Sequence, residues 1–252
     1  MRVNSRLRTR QRPDCWRNEN GGYMNDRLAG KAIAGFIIVF TALAVLSLSC
    51  SGQQTQTVPT DRFDDIAVWV KVFEDPGRDT WQQPEEVVRT MNLAHGDVVA
   101  DIGAGTGYFT RLFAAAVGPE GMAIGLDIEQ SMVEYMHEDA KKLDLKNYTA
   151  RVVKTDDPEL TPGSVDVVFL CNTYHHIQDR LNYFRKVAGS LKPGGRLVIV
   201  DFYKKELPYG PPPEHKLAKN IVIGELLQAG YSLKQELHFL PYQYYLEFGH
   251  EK

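Results

Sequence analysis

Val98-Val99-Ala100-Asp101-Ile102-Gly103-Ala104-Gly105-Thr106-Gly107-Tyr108-Phe109-Thr110 decides the fold of this 252-residue chain. An apolar run, Val98 to Ala100, leads into Asp101. Glycines follow at alternate positions, and then a helix-compatible stretch from Tyr108 to Val117. This order reads as a strand that ends in a tight turn against a helix. A glycine turn of that kind has no Cβ to keep a ligand from the backbone, so a nucleotide-type cofactor is the leading expectation.

The acid ahead of the glycines narrows the choice. A dinucleotide fingerprint is spaced G-x-G-x-x-G and seats a pyrophosphate on a helix N-terminus. Here the spacing is G-x-G-x-G, with Asp101 two residues before Gly103. A carboxylate at the turn repels a pyrophosphate and attracts a cation, such as the sulfonium and ammonium of S-adenosylmethionine. The stretch resembles the first motif of the class I S-adenosylmethionine-dependent methyltransferases, D-x-G-x-G-x-G. An NAD-dependent oxidoreductase is the alternative enzyme on such a sheet, and a non-catalytic, membrane-anchored S-adenosylmethionine-binding protein is the non-enzymatic one.

About 190 residues, from roughly Asp61 onward, have globular composition, which suits one α/β domain (61–252). Net charge is −3 and the globular part carries no basic stripe, so no nucleic-acid partner is expected. The cysteines, Cys15, Cys50 and Cys171, are too few and too scattered for a disulfide framework or a zinc site, and no metal is expected.

The N-terminal part differs. Residues 1–31 are rich in arginine, and Ala32 to Leu48 is an uncharged stretch of 17 residues. That length is short for a membrane span and long for a signal core. The segment 32–49 runs into Cys50 and a polar linker, 50–60, an arrangement that resembles a bacterial lipoprotein signal. The resemblance departs at Ser47 and Leu48, where that pattern prefers Leu and then a small residue. Met24 offers an alternative start with a short basic lead, Arg27 and Lys31. The expectation is membrane association through a lipid at Cys50 or a single span. Basic residues before the apolar segment favour an exported domain, where S-adenosylmethionine is not ordinarily supplied.

Beyond the linker, helical spacing is expected over Phe63–Phe73 and Pro84–Met91. Strands are then expected at Val98–Asp101, Met122–Asp127, Tyr148–Lys154, Val165–Cys171 and Arg196–Asp201. Helices fall between them at Tyr108–Val117, Ser131–Leu143 and Leu181–Leu191, the last stopped by Lys192-Pro193-Gly194-Gly195. Met132, Tyr135, Met136 and Leu143 are the expected core contacts of the second of these. A helix at Glu214–Ala229 precedes two closing strands, Ser232–Phe239 and Tyr242–Phe248. Such alternation predicts a Rossmann-like, doubly wound α/β fold with a mainly parallel seven-stranded sheet and an antiparallel C-terminal hairpin.

Ligands of open α/β sheets bind at the carboxyl ends of the strands. Strand one ends in Asp101 and the turn, strand two in Asp127, strand three near Asp156, and strand four in Cys171-Asn172-Thr173-Tyr174-His175-His176. An acid about 20 residues past the glycines suits the ribose hydroxyls. Val99–Thr110, Gly125–Ile128, Thr155-Asp156, Val165–Ile177 and Leu191–Gly195 together resemble the successive motifs of small class I methyltransferases. The resemblance implies that Asp101, Gly103, Ala104, Gly105 and Gly107 surround the methionine part of the cofactor. It implies Asp127 on the ribose, Ile128 against the adenine, Asp156 toward the adenine amine and Asn172 beneath the methyl donor. Thr155 stands where relatives often have Gly.

Methyl transfer needs alignment, and a base only where the acceptor is protonated. His175 is the candidate base and Tyr174 a candidate positioning group. Trp81 and Gln82 are placed to cover the cofactor, and the loop Tyr203–Pro213 to shape the acceptor pocket. The expected partner is a small-molecule or lipid-like acceptor.

Overall fold

The computed structural model describes residues 66–250; the expectations for 1–31, 32–49 and 50–60 lie outside the described residues. Strands β1 (Val98–Ile102), β2 (Met122–Asp127), β3 (Tyr148–Val152), β4 (Val165–Cys171), β5 (Leu191–Phe202), β6 (Ser232–Leu237) and β7 (Gln243–Gly249) form one sheet. Helices α1 (Ile66–Phe73), α2 (Asp79–Gln82), α3 (Pro84–Met91), α4 (Thr110–Val117), α5 (Gln130–Lys142), α6 (Arg180–Ser190) and α7 (Lys219–Gln228) complete the described part. The strand order is β3-β2-β1-β4-β5-β7-β6. β7 alone runs against its neighbours, pairing antiparallel with β5 and β6. The expected Rossmann-like sheet with its closing hairpin is what the chain forms.

The chain winds outward through β2 and β3 on one side of β1, then returns to place β4 on the other. The switch point therefore lies between the carboxyl ends of β1 and β4, where open sheets bind ligands. β4 can sit at the centre because its side chains are apolar in both directions: Val167, Val168, Phe169 and Leu170 are all fully buried. One face of the sheet packs Ile102, Leu170 and Ile199 with Phe184 of α6 and Leu226 of α7. The other packs Val99, Phe169 and Val200 with Phe113 of α4 and Met136 of α5.

Three elements differ from expectation. Leu191 already pairs with Val165, and Pro193-Gly194-Gly195 bulges out before Arg196 pairs with Val167, so β5 begins inside the expected helix stop. α7 starts at Lys219 rather than Glu214. Pro213–His215 makes only one 3-10 turn, and Lys216 and Ala218 are extended. Leu143 is 45% exposed, whereas Met132, Val133, Met136 and Ala140 carry the buried face of α5.

Candidate active site

The glycine turn is held by its own hydrogen bonds. Gly103 and Ala104 donate N–H to the carbonyl of Leu126 (2.7 and 3.1 Å), and Gly107 donates to Ala104 O (2.9 Å). Gly105 N–H donates to Asp127 Oδ2 at 2.8 Å. A phosphate-binding turn points such N–H groups at its ligand. Here four of them, on Gly103, Ala104, Gly105 and Gly107, are already committed, which leaves a pyrophosphate fewer donors. The turn offers instead a bare, close-fitting surface. Gly103 has φ +70°, and a Cβ there would drive into Thr173 at the end of β4.

Two carboxylates flank this surface. Asp101 alternates to the α4 face of β1, is 3% exposed and accepts a hydrogen bond from Thr110 Oγ1 at 2.6 Å. Burial pushes its carboxyl up to about 7; the Thr110 hydrogen bond opposes the rise, Asp127 adds to it and Arg78 opposes it. Asp127 lies at the tip of β2, where Glu129 N–H (3.0 Å) and Gly105 N–H each take one of its oxygens. Burial raises its pKa too, against those N–H groups. A carboxylate has about four acceptor positions, and those that the backbone N–H groups leave are open to a diol. Ile128 beside it is 48% exposed, an apolar side chain open to a flat ring. The set fits an adenosyl ligand with a cationic sulfur and ammonium. Asp101, the turn residues, Asp127 and Ile128 would hold it.

Asp101 then makes binding pH-dependent. Its ionised form attracts the cation, and with a carboxyl near 7 that form is lost as pH falls through neutrality. S-adenosylmethionine affinity should be about tenfold weaker at pH 6 than at pH 8; calorimetric titrations giving equal affinities would contradict the role. Asp127→Ala should weaken the same binding by about 1.5–3 kcal/mol, because it removes a charged acceptor and frees Gly105 N–H. An unchanged affinity would remove Asp127 from the ribose.

The end of β4 is a polar knot. Asn172 has φ +56° and its Oδ1 accepts from Gln243 Nε2 at 2.7 Å. Gln82 Nε2 donates to Gln243 Oε1 (3.0 Å) and to Cys171 Sγ (2.9 Å), and both glutamines are fully buried. Burial pushes the Cys171 thiol up to about 12, so it stays a neutral acceptor and not a nucleophile. Gln82 thus positions Asn172 through Gln243.

His175 and Tyr174 part company on the following 3-10 turn, Tyr174–His176. Tyr174 turns into the core: it is fully buried, stacks on Phe184 at 4.9 Å and donates its hydroxyl to Glu225 at 2.9 Å. That corrects its expected role as an acceptor-positioning group. His175 turns to the end of β5, where Nδ1 meets Asp201 Oδ2 at 2.9 Å, with both side chains buried. Asp201 also accepts Phe202 N–H at 2.8 Å, which fixes the carboxylate. Nδ1–H donating to Asp201 leaves Nε2 as the unprotonated nitrogen, the tautomer a general base requires.

Trp81 packs against Phe202, Tyr209 and Tyr242, with Tyr209 stacked on it at 4.9 Å. The Tyr203–Pro213 loop therefore does meet Trp81, through Tyr209. Lys204 Nζ donates to Lys216 O and Lys216 Nζ to Lys205 O, both at 2.9 Å, which closes the base of this loop. Asp156 is exposed and lines an open groove with Gln178, Asp179 and Asn182; its carbonyl holds Lys186 Nζ at 2.8 Å.

Asp201 was findable. The strand-end rule applied to β5 picks it out. Gln243 lacked such a signal, because its partners Gln82 and Asn172 lie far along the chain.

Residues 93–238 match the family described as "Methyltransferase domain". The chain belongs to the methyltransferase-domain family. Its fold is shared with the crystal structure of a SAM-dependent methyltransferase from Aquifex aeolicus. That protein is 28% identical, and the match covers 73% of this chain and 97% of that one with a TM-score of 0.69. Demethylmenaquinone methyltransferase of Listeria welshimeri is 27% identical over 124 residues, 49% of this chain and 52% of its own. The 27-O-demethylrifamycin SV methyltransferase of Amycolatopsis mediterranei is 33% identical over 135 residues, 52% of this chain and 48% of its own. The chain spans about half the length of these curated relatives. This methyltransferase domain uses S-adenosylmethionine as cofactor, in keeping with the flanking carboxylates and the committed turn N–H groups.

Proposed function

We propose that this methyltransferase transfers a methyl group to a small-molecule or lipid-like acceptor through a protonated nucleophile such as a hydroxyl. The buried His175–Asp201 pair carries the reading. A charge-capable base held in one tautomer at the end of β4 is wasted on an acceptor that has no proton to lose. S-adenosylmethionine, when bound, would supply an electrophilic methyl carbon on a cationic sulfur that keeps the electron pair of the broken bond. His175 Nε2 would take the proton of the acceptor held at that carbon. Asp201 stabilises the imidazolium that results. Tyr209 and Tyr242, half-buried against Trp81 and Phe202 near the end of β5, offer an aromatic surface suited to a flat or lipid-like acceptor. Relatives named for menaquinone precursors and a rifamycin support an acceptor of that size.

The 32–48 stretch and Cys50 add a tether to the reading: the domain works beside a membrane, held by a span or a lipid. No helix among the described residues is long and apolar enough to cross a membrane. Radiolabelled S-adenosylmethionine, incubated with the protein and a lipid extract, should label an extractable product that wild type makes and His175→Ala does not. Label appearing equally with both would refute the assignment. A reporter that fluoresces only in the cytoplasm, fused to Lys252, will report the side of the membrane; the basic lead predicts a dark fusion.

A further inference from the structure

Lys216 stands apart from the other lysines. It follows the 3-10 turn Pro213–His215, has an extended backbone and is 1% exposed. A lysine is almost never so buried unless something pairs with its charge. Here Nζ donates to Lys205 O at 2.9 Å, and among the described residues no carboxylate forms an ion pair with it. An ammonium has three donors, so two are unused. Burial pulls its pKa down, and Glu206 and then Asp201 oppose the fall from a distance.

Its surroundings place it at the acceptor end of the site. Nζ lies 5.6 Å from the centroid of the Phe202 ring. That ring also meets Trp81 at 5.6 Å, and Tyr209 stacks on Trp81. Phe202 directly follows Asp201, the partner of His175. Asp201 does not pair with the ammonium: its oxygens accept from His175 Nδ1 and Phe202 N–H. Lys216 therefore carries a positive charge that no protein group offsets at close range. Proton transfer to His175 removes even the distant offset, because the imidazolium then neutralises Asp201.

Building on the proposed reaction, we infer that Lys216 binds an oxyanion of the acceptor, a carboxylate or a phosphate set apart from the hydroxyl to be methylated. An ammonium is a compact point charge that takes either anion. Because the same Nζ holds Lys205 O, the Tyr203–Pro213 loop lifts to admit this group and closes on it.

The labelled product of the lipid-extract incubation tests this with the protein's own acceptor. On an anion-exchange resin at about pH 8 it should be retained. Release at about pH 2.5 identifies a carboxylate, which is then protonated, and continued retention a phosphate. A labelled product that runs through at the higher pH would overturn the inference. Calorimetric titration of the full chain, loaded with S-adenosylhomocysteine, is the second arm. Benzoate or phenyl phosphate should bind about 30-fold more tightly than neutral benzamide, the discrimination of a charge-assisted bond. Lys216→Met should bring the preferred anion to within about threefold of benzamide. Benzamide and S-adenosylmethionine should bind the variant as they bind wild type, which also shows that it is folded. Lys216→Arg should keep part of the preference. Equal wild-type affinities for all three probes, silence included, would overturn the inference. So would a preference that survives Lys216→Met, or a loss that benzamide shares equally, the mark of a strut that only holds the loop. A wild type that labels no product goes against the proposed reaction instead, and the titration alone then decides on Lys216.

Discussion

Replacing His175 with Ala should lower the methyl-transfer rate constant by about 10²–10⁴-fold, the usual contribution of a positioned general base. S-adenosylmethionine affinity should stay within about twofold, because the imidazole is bound to Asp201 at the end of β5 and not to the turn. Asp201→Asn should be nearly as damaging. An amide in place of the carboxylate can donate to Nδ1, which moves the imidazole proton to Nε2 and removes the acceptor lone pair from the reacting side. Single-turnover rates with the labelled acceptor, alongside equilibrium binding of cofactor, separate the two effects. A variant that turned over normally would show that the acceptor carries no proton at the reacting atom. Equal losses in rate and in cofactor binding would mean that the pair only supports the fold.

Gly107→Ala should cost about 3 kcal/mol of stability. Gly107 has φ +77°, and an added Cβ would overlap the hydroxyl of Tyr148 and lie 2.9 Å from Met136 Cγ. Overpacking of that kind costs about 1–3 kcal/mol, and the left-handed conformation adds roughly 1 kcal/mol. Gly163 is the control. It has φ +62° with nothing within 4 Å of the added atom, so Gly163→Ala should cost only the roughly 1 kcal/mol of backbone strain. The Tyr148 hydroxyl is buried with no partner, so Tyr148→Phe should be nearly neutral alone. In combination it should recover part of the Gly107→Ala loss, a coupling that a double-mutant cycle reads directly. Urea midpoints measure all four. Similar midpoints for the two glycine variants would mean that the turn gives way without cost.

The sheet and the strand-end carboxylates were legible because each follows from local order: an apolar run, a punctuating turn and an amphipathic helix. Met122–Asp127 and Val165–Cys171 agree to the residue. The misses arise where position in space overrides local pattern. Leu191 reads as the last residue of a helix, yet it pairs with Val165 across a bulge. Leu143 fits the apolar face of its helix by spacing but falls just past the end of α5, where it is exposed. Tyr174, His175 and His176 are consecutive on a single 3-10 turn, and nothing local fixes which of them points inward. The packing of Tyr174 on Phe184 and its bond to Glu225, 51 residues on, decide it. Gln82 and Gln243 are 161 residues apart and meet only because β7 inserts beside β5.

The central claim is that two carboxylates beside a turn with four of its N–H groups already bonded select a cationic adenosyl donor over a phosphorylated one. Parallel calorimetric titrations of the full chain with S-adenosylmethionine and with NADH test it most directly. Micromolar binding of S-adenosylmethionine, roughly −8 kcal/mol, and no measurable heat with NADH are predicted. Tighter binding of NADH, or silence with S-adenosylmethionine, would contradict it.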